Sequence, residues 1–219
     1  MENLENEFFK AETVDREYAE KVSIVTHKVQ TTRFQVRGIA MLTDSEDIAA
    51  QVVLVDTPGI FKAGGDDRLG RSMVHAAWSG VDDSSAVIHV VDAPAYLRVL
   101  HKEPTAQDKK AFADTERVTQ GLSTRKMGLI SLALNKIDEI PHDQLLEVIA
   151  AFKDHAFYNE IFLISALNRD GVDALAETLA DAMPIGPFLY PPDQAADLPS
   201  RLMAAEITRE KLYLRLHDE

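Results

Sequence analysis

The chain has 219 residues, of which 46% are hydrophobic and 27% charged, with a formal net charge of -13 and no cysteine. That length supports one domain of ordinary size plus an appendage, and the composition is that of a soluble globular protein. Disulfides, thiolate metal sites and a cysteine nucleophile are excluded, and the acidic balance makes the whole chain a poor binder of phosphate backbones.

The chain opens "MENLENEFFKAE", which is acidic and lacks the basic and apolar regions of a signal peptide. No apolar run reaches the roughly 18 residues that suggest a membrane span, so the cytoplasm is the expected compartment. Strand-like runs follow at "RFQVRGIAML" from Arg33 and "AQVVLVD" from Ala50, joined by the short polar "TDSED" that suits a hairpin and an antiparallel edge. A helical pattern over Leu69 to Ser79 leads to the run "SAVIHVVDA" from Ser85. Helical segments at Thr105 to Gln120, Asp143 to His155 and Val172 to Ala182 then alternate with the runs "GLISLALNK" from Gly128 and "IFLISA" from Ile161. The last four runs are continuous rather than alternating, as strands covered on both faces are. Strand alternating with helix predicts an α/β domain with a mainly parallel sheet and helices on both faces.

From Met183 the sequence turns into "MPIGPFLYPPDQAADLPS", a proline-rich connector that cannot continue the preceding helix. Asp197 then reads as an N-cap with Pro199 in the first turn, and "RLMAAEITREKLYLRLHDE" as a helix with apolar residues paired at i,i+4.

Three motifs carry chemistry. Asp56-Thr57-Pro58-Gly59 ends an apolar strand: the Asp56 carboxylate there suits Mg²⁺, and the Gly59 N–H can face a terminal phosphate with no Cβ in the way. By itself this tetrapeptide is equally a good turn after any strand. Asn135-Lys136-Ile137-Asp138 closes a later strand. A carboxylate at Asp138 accepts from the N1–H and the exocyclic amine of guanine, a pairing adenine cannot match, while Asn135 braces the loops and the Lys136 stem covers one face of the base. Alone it could be a polar turn at a strand end. Ser165-Ala166, after the last strand, can aim the Ala166 N–H at guanine O6. None of the three is decisive singly; in this order, each after a strand, the set is specific.

At these residues the chain resembles the Era family of translational-type GTPases. The likeness includes "KVSIVTHKVQTTRFQVRGI", "VDTPGIF" and "GPFLYPPDQAADLPSRLMAAEITREKL", and runs from about Lys21 to the end apart from Tyr96 to Lys126. The resemblance implies a P-loop GTPase G domain, with GTP or GDP and Mg²⁺ as cofactors and GTP hydrolysis as the activity. It implies a first-switch threonine on the metal, Thr32 before Thr31, although two threonines also suit the start of a strand. It further implies a role in small ribosomal subunit biogenesis with rRNA as partner, and peripheral association with the inner membrane. Ile60 follows the DTPG turn where many small GTPases carry a water-orienting glutamine; in this family a hydrophobic residue is normal there. His75 and His89 are expected to be partly buried rather than catalytic.

A phosphate loop would read G-x-x-x-x-G-K-[ST]. The first glycine is Gly38 and no Gly-Lys pair occurs in the chain. The expected organisation is an atypical segment over 1–20, an incomplete Era-type G domain over 21–184 lacking its central first strand and P-loop, and over 185–219 a linker with the first helix of a truncated RNA-binding KH region. The first 20 residues are expected to be helical or loosely ordered. Weak GTP binding and little or no hydrolysis follow as expectations. The alternatives are a truncated gene product and a non-catalytic interaction scaffold.

Overall fold

The computed structural model describes residues 36–43, 49–57, 59–61, 67–194 and 208. The predicted hairpin is present: β1 (Val36–Thr43) and β2 (Ala49–Asp56) pair antiparallel from Val36 opposite Asp56 to Thr43 opposite Ala49. The second ladder is parallel and has the order β3-β4-β5, formed by β3 (Ala86–Asp92), β4 (Leu129–Asn135) and β5 (Glu160–Ile164). Among the described residues no backbone pairing joins β2 to β3. The first helix-like stretch is α1 (Arg68–Asp82), capped by Asp67, whose carboxylate accepts from Gly70 N–H at 2.7 Å.

One helix escaped the sequence reading. The run ending "VVDA" bends at once into α2 (Ala93–Leu100), with Asp92 as N-cap accepting from Ala95 N–H at 2.9 Å and Pro94 in the first turn. A proline there costs nothing, because its missing N–H has no intrahelical partner in the first turn of any helix. α3 (Ala106–Ser123) begins with a capping box between Thr105 and Asp108. Asp108 is also clamped by Arg98 of α2 through two hydrogen bonds, at 2.7 and 3.0 Å. That guanidinium contact, the largest influence on it, holds the Asp108 carboxyl well below the usual carboxylate range. α4 (His142–Phe152) and α5 (Val172–Asp181) complete the alternation.

The parallel ladder is covered on both faces, as its continuous apolar runs require. On one face Val91, Leu132 and Leu134 pack with Tyr96 and Leu97 of α2 and with Leu145, Val148 and Phe152 of α4. On the other, Ala133 and Ile164 pack with Leu175 and Leu179 of α5, and Val52 of β2 belongs to the same cluster. The α5 helix thus covers strands of both ladders, which places the hairpin beside the parallel sheet although no pairing joins them among the described residues.

Entry into α5 depends on Gly171, whose φ is +72° and at which an added Cβ would strike the Leu163 carbonyl oxygen and come within 3.3 Å of Ile164. Both the left-handed backbone and the obstruction by main chain oppose any side chain. Gly171→Ala is therefore expected to destabilise the fold by about 1–3 kcal/mol, read as a lower denaturant midpoint at unchanged m-value. An unaltered midpoint would show that the turn can open without cost.

After α5 the chain leaves helical geometry, as the connector's prolines require, and Gln51 of β2 holds the connector in place. The Gln51 side chain accepts from Leu189 N–H at 2.8 Å and Tyr190 N–H at 2.9 Å, and donates to the Tyr190 carbonyl at 2.9 Å. One amide thereby satisfies three main-chain groups in a segment whose Ile185 and Leu189 side chains are exposed. Of the sequence expectations, those for the first 20 residues and for the helix after Asp197 fall outside the described residues, except that Thr208 is helical.

Candidate guanine-nucleotide site

In a parallel α/β sheet the loops beyond the carboxyl ends of the strands form the ligand crevice. Asp92 ends β3 and Asn135 ends β4, and the two are direct partners in the register. Ser165 and Ala166 follow β5 at the same edge. Asn135 is buried, and its Oδ1 accepts the Ala166 N–H at 3.0 Å, so the end of β4 and the turn after β5 are tied across 31 residues of sequence. Ser165 is fully buried. Its N–H donates to the Asp170 carbonyl at 2.9 Å and its Oγ accepts from Asn168 N–H at 3.1 Å, which fixes the turn. The Ala166 N–H thus already has an acceptor in Asn135, and a guanine O6 would share that donor or take it over.

Lys136 follows Asn135 in the left-handed region, with φ at 64° and ψ at 37°, and begins the 3-10 turn Ile137–Glu139. Its ammonium donates to Asp92 Oδ2 at 2.8 Å. Ile137 is half-buried and packs against the α2–α4 face of the core, whereas Asp138 is exposed. The turn is anchored by the isoleucine on one side and presents the carboxylate on the other. Burial opposes ionisation of Asp92, but the bonds from Lys136 and from Ala95 N–H outweigh it and bring its pKa below the ordinary value.

Asp56, Thr57, Gly59 and Ile60 lie at the end of β2, in the other ladder. Asp56 is buried, Thr57, Gly59 and Ile60 are half-buried, and among the described residues other than its chain neighbours nothing lies within 4 Å of the place a Gly59 Cβ would take. Openness on that side of the glycine is what a phosphate approaching the main chain needs. Among the described residues no group of three or more His, Cys, Asp or Glu is placed to hold a metal. A single buried carboxylate, Asp56, fits Mg²⁺, which retains waters and takes phosphate oxygens, and does not fit a cation needing an all-protein cage. Pro58 and the proposed metal ligand Thr32 lie outside the described residues.

The histidines divide. His89 is buried on β3, more deeply than the expected partial burial, and shares a 2.6 Å hydrogen bond with Tyr158. His75 is exposed on α1, contrary to the expectation, because Met73 and Ala77 occupy the buried stripe of that helix. Neither lies in the loops that carry the motifs. The Asp92–Lys136 pair was missed in the sequence; the only signal was an acidic residue ending the strand that neighbours β4.

A parallel sheet with helices on both faces, with NKID and SA motifs at its carboxyl edge, defines the P-loop GTPase G-domain fold. A family profile described as 50S ribosome-binding GTPase matches residues 13–136. GTPase Era of Maricaulis maris is 49% identical over 210 residues, covering 96% of this chain and 64% of that protein. GTPase Era of Agrobacterium fabrum is 42% identical over 96% of this chain and 59% of its own length. A crystal structure of Era in complex with MgGDPNP and a fragment of 16S ribosomal RNA superposes with a TM-score of 0.77 at 30% identity, covering 96% of this chain and 63% of that one. Aquifex aeolicus Era bound to GDP and AlF4⁻ gives 0.70 at 31% identity, covering 95% and 63%. The chain belongs to the Era family of GTPases. It spans less than two thirds of the length of these relatives.

Proposed function

We propose that this chain binds guanine nucleotide through Asn135, Lys136, Ile137, Asp138, Ser165 and Ala166, with Asp56 and Thr32 on Mg²⁺ and Thr57 to Ile60 near the terminal phosphate. The observation that carries the reading is the Asn135 Oδ1 bond to Ala166 N–H, because it unites two motifs far apart in sequence into one edge beside the exposed Asp138. When bound, the nucleotide–magnesium complex supplies the hydrolysable phosphoanhydride. What these residues supply is the base pocket, a carboxylate for the metal and the Gly59 main-chain N–H, which has no Cβ beside it.

The same reading divides the protein into a G domain over 21–184 and, over 185–219, a linker with the first helix of a KH region. The related Era structure contains 16S ribosomal RNA, and we extend a role in small-subunit biogenesis to this chain as part of the proposal. Phosphate contacts within these 219 residues are limited, since no Gly-Lys pair is present to wrap and neutralise the β and γ phosphates. Weak nucleotide binding and little or no hydrolysis are therefore expected.

The test is titration of a fluorescent GDP analogue with Mg²⁺, competed by GTP and by ATP. Saturable binding displaced by GTP and not by ATP is expected, with a dissociation constant well above those of G domains possessing a phosphate loop. Absence of saturable binding by a folded chain would overturn the reading and favour an interaction scaffold, for which the lack of a Gly-Lys pair is the supporting observation.

A further inference from the structure

Asp92 belongs to none of the motifs, yet it touches both the left-handed lysine of NKID and the first turn of α2. Its Oδ2 accepts Lys136 Nζ at 2.8 Å and its Oδ1 accepts Ala95 N–H at 2.9 Å, so both oxygens are committed and the carboxylate cannot rotate without breaking one bond. Its Cα is the register partner of Asn135, which fixes its position relative to the strand end that precedes the NKID turn. The side chain is mostly buried, at 13% exposure against 26% for Lys136, so solvent screens the pair less than it would a surface ion pair.

Lys136 needs such a partner. A lysine at φ 64° has no glycine-like freedom, and the left-handed conformation is unfavourable for a residue with a Cβ unless surrounding contacts hold it. The next residues turn immediately through Ile137–Glu139, so the direction in which Asp138 presents its carboxylate follows from the torsion at Lys136. An ammonium free to swing would leave the lysine stem without a fixed plane to lie on the base.

We infer that Asp92 is a positioning residue for guanine specificity: by clamping the Lys136 ammonium to the capped start of α2, it fixes the torsion that aims Asp138 at the N1–H and exocyclic amine of the base. This rests on the guanine-binding reading above. The residue acts through Lys136 and does not touch the nucleotide. It differs from the motif residues because its removal leaves every guanine-contacting group in place.

The variant is Asp92→Asn, which keeps the oxygen that caps α2 and removes the charge that holds Lys136. Affinities for GDP and IDP are compared in wild type and variant, because inosine lacks the exocyclic amine and the GDP:IDP ratio therefore reports the Asp138 contact. The expected result is about tenfold weaker GDP binding and a GDP:IDP ratio reduced several-fold, with thermal midpoint little changed. In the nucleotide-free protein, amide hydrogen exchange at Asp138 to Ile140 is expected to quicken in the variant while β4 amides keep their protection. Asp92→Ser, which also retains the cap and cannot hold the ammonium, is expected to behave in the same way. An unchanged ratio in a folded variant, or a loss of affinity that tracks lost stability with the ratio intact, overturns the inference and leaves guanine binding standing. Failure of the wild type to bind GDP overturns both, and the exchange data then show only whether the clamp orders the turn.

Discussion

Replacing Asp138 by alanine is expected to lower guanine-nucleotide affinity by about 100-fold to 10,000-fold while leaving the fold intact. Two hydrogen bonds from the base to a charged acceptor contribute roughly 1.5–3 kcal/mol each, and each 1.4 kcal/mol is a factor of ten. The carboxylate is exposed in the 3-10 turn Ile137–Glu139, so its removal opens no cavity and unpairs no buried group. The thermal midpoint should move by no more than a surface substitution does, within about 0.5 kcal/mol. Asp138→Asn provides a second readout. Its amide can donate to the carbonyl that xanthine carries in place of the guanine amine, so discrimination should shift towards xanthine nucleotides rather than simply vanish. Retention of wild-type GDP affinity by the folded alanine variant would show that the NKID turn is not where the base binds.

How far the sequence went is clearest at β4 and β5. Continuous apolar runs ending in NKID and SA showed parallel strands with polar groups at one edge, and the structure has them, β4 buried along nearly its whole length and β5 half-buried up to the buried Ile164. The hairpin was readable for the same reason: two apolar runs and a short polar connection admit few other arrangements. What the sequence did not show are relations between distant residues. Asp92 and Lys136 are 44 positions apart and become neighbours only because β3 and β4 pair in one register. Gln51 lies 138 and 139 positions from the connector residues it holds, and nothing in "AQVVLVD" marks that glutamine as other than a polar residue in a strand. The α2 helix was missed because eight residues following an unbroken apolar run look like its continuation, although Asp92 before Pro94 is a start signal on local chemistry alone. His75 was misjudged because a lone histidine in an amphipathic helix can fall on either face; only the burial of Met73 and Ala77 decides it.

Mild acid is expected to weaken this fold well above the range in which its carboxylates protonate, because of His89. The imidazole is 6% exposed within β3, its Nδ1 lies 2.6 Å from the Tyr158 hydroxyl, and that hydroxyl lies 3.4 Å from Thr119 Oγ1. Burial pushes the His89 pKa down from 6.5 to about 3. Burial also raises the Tyr158 phenol to about 12, so the tyrosine stays neutral throughout and its role in the pair does not change. The folded chain therefore holds His89 neutral, while the unfolded chain takes up a proton as pH falls below the ordinary value. Stability is fully present above pH 6.5 and is lost progressively towards the depressed folded value, at up to about 1.4 kcal/mol per pH unit. Between pH 7.5 and 5 the loss amounts to about 2 kcal/mol, a large share of a typical domain's stability. Asp92 and Asp108 are held below their ordinary values, so their contributions are lost only at lower pH and do not account for this window. Urea midpoints measured at pH 7.5, 6 and 5 should fall steadily in the wild type. In His89→Phe, which keeps a ring in the core and leaves Tyr158 to Thr119, the same series should be flatter by about 2 kcal/mol across the window, whatever its stability at pH 7.5. Equal slopes for the two proteins would mean that water or local opening lets His89 protonate in the folded state, and that the acid sensitivity has another source.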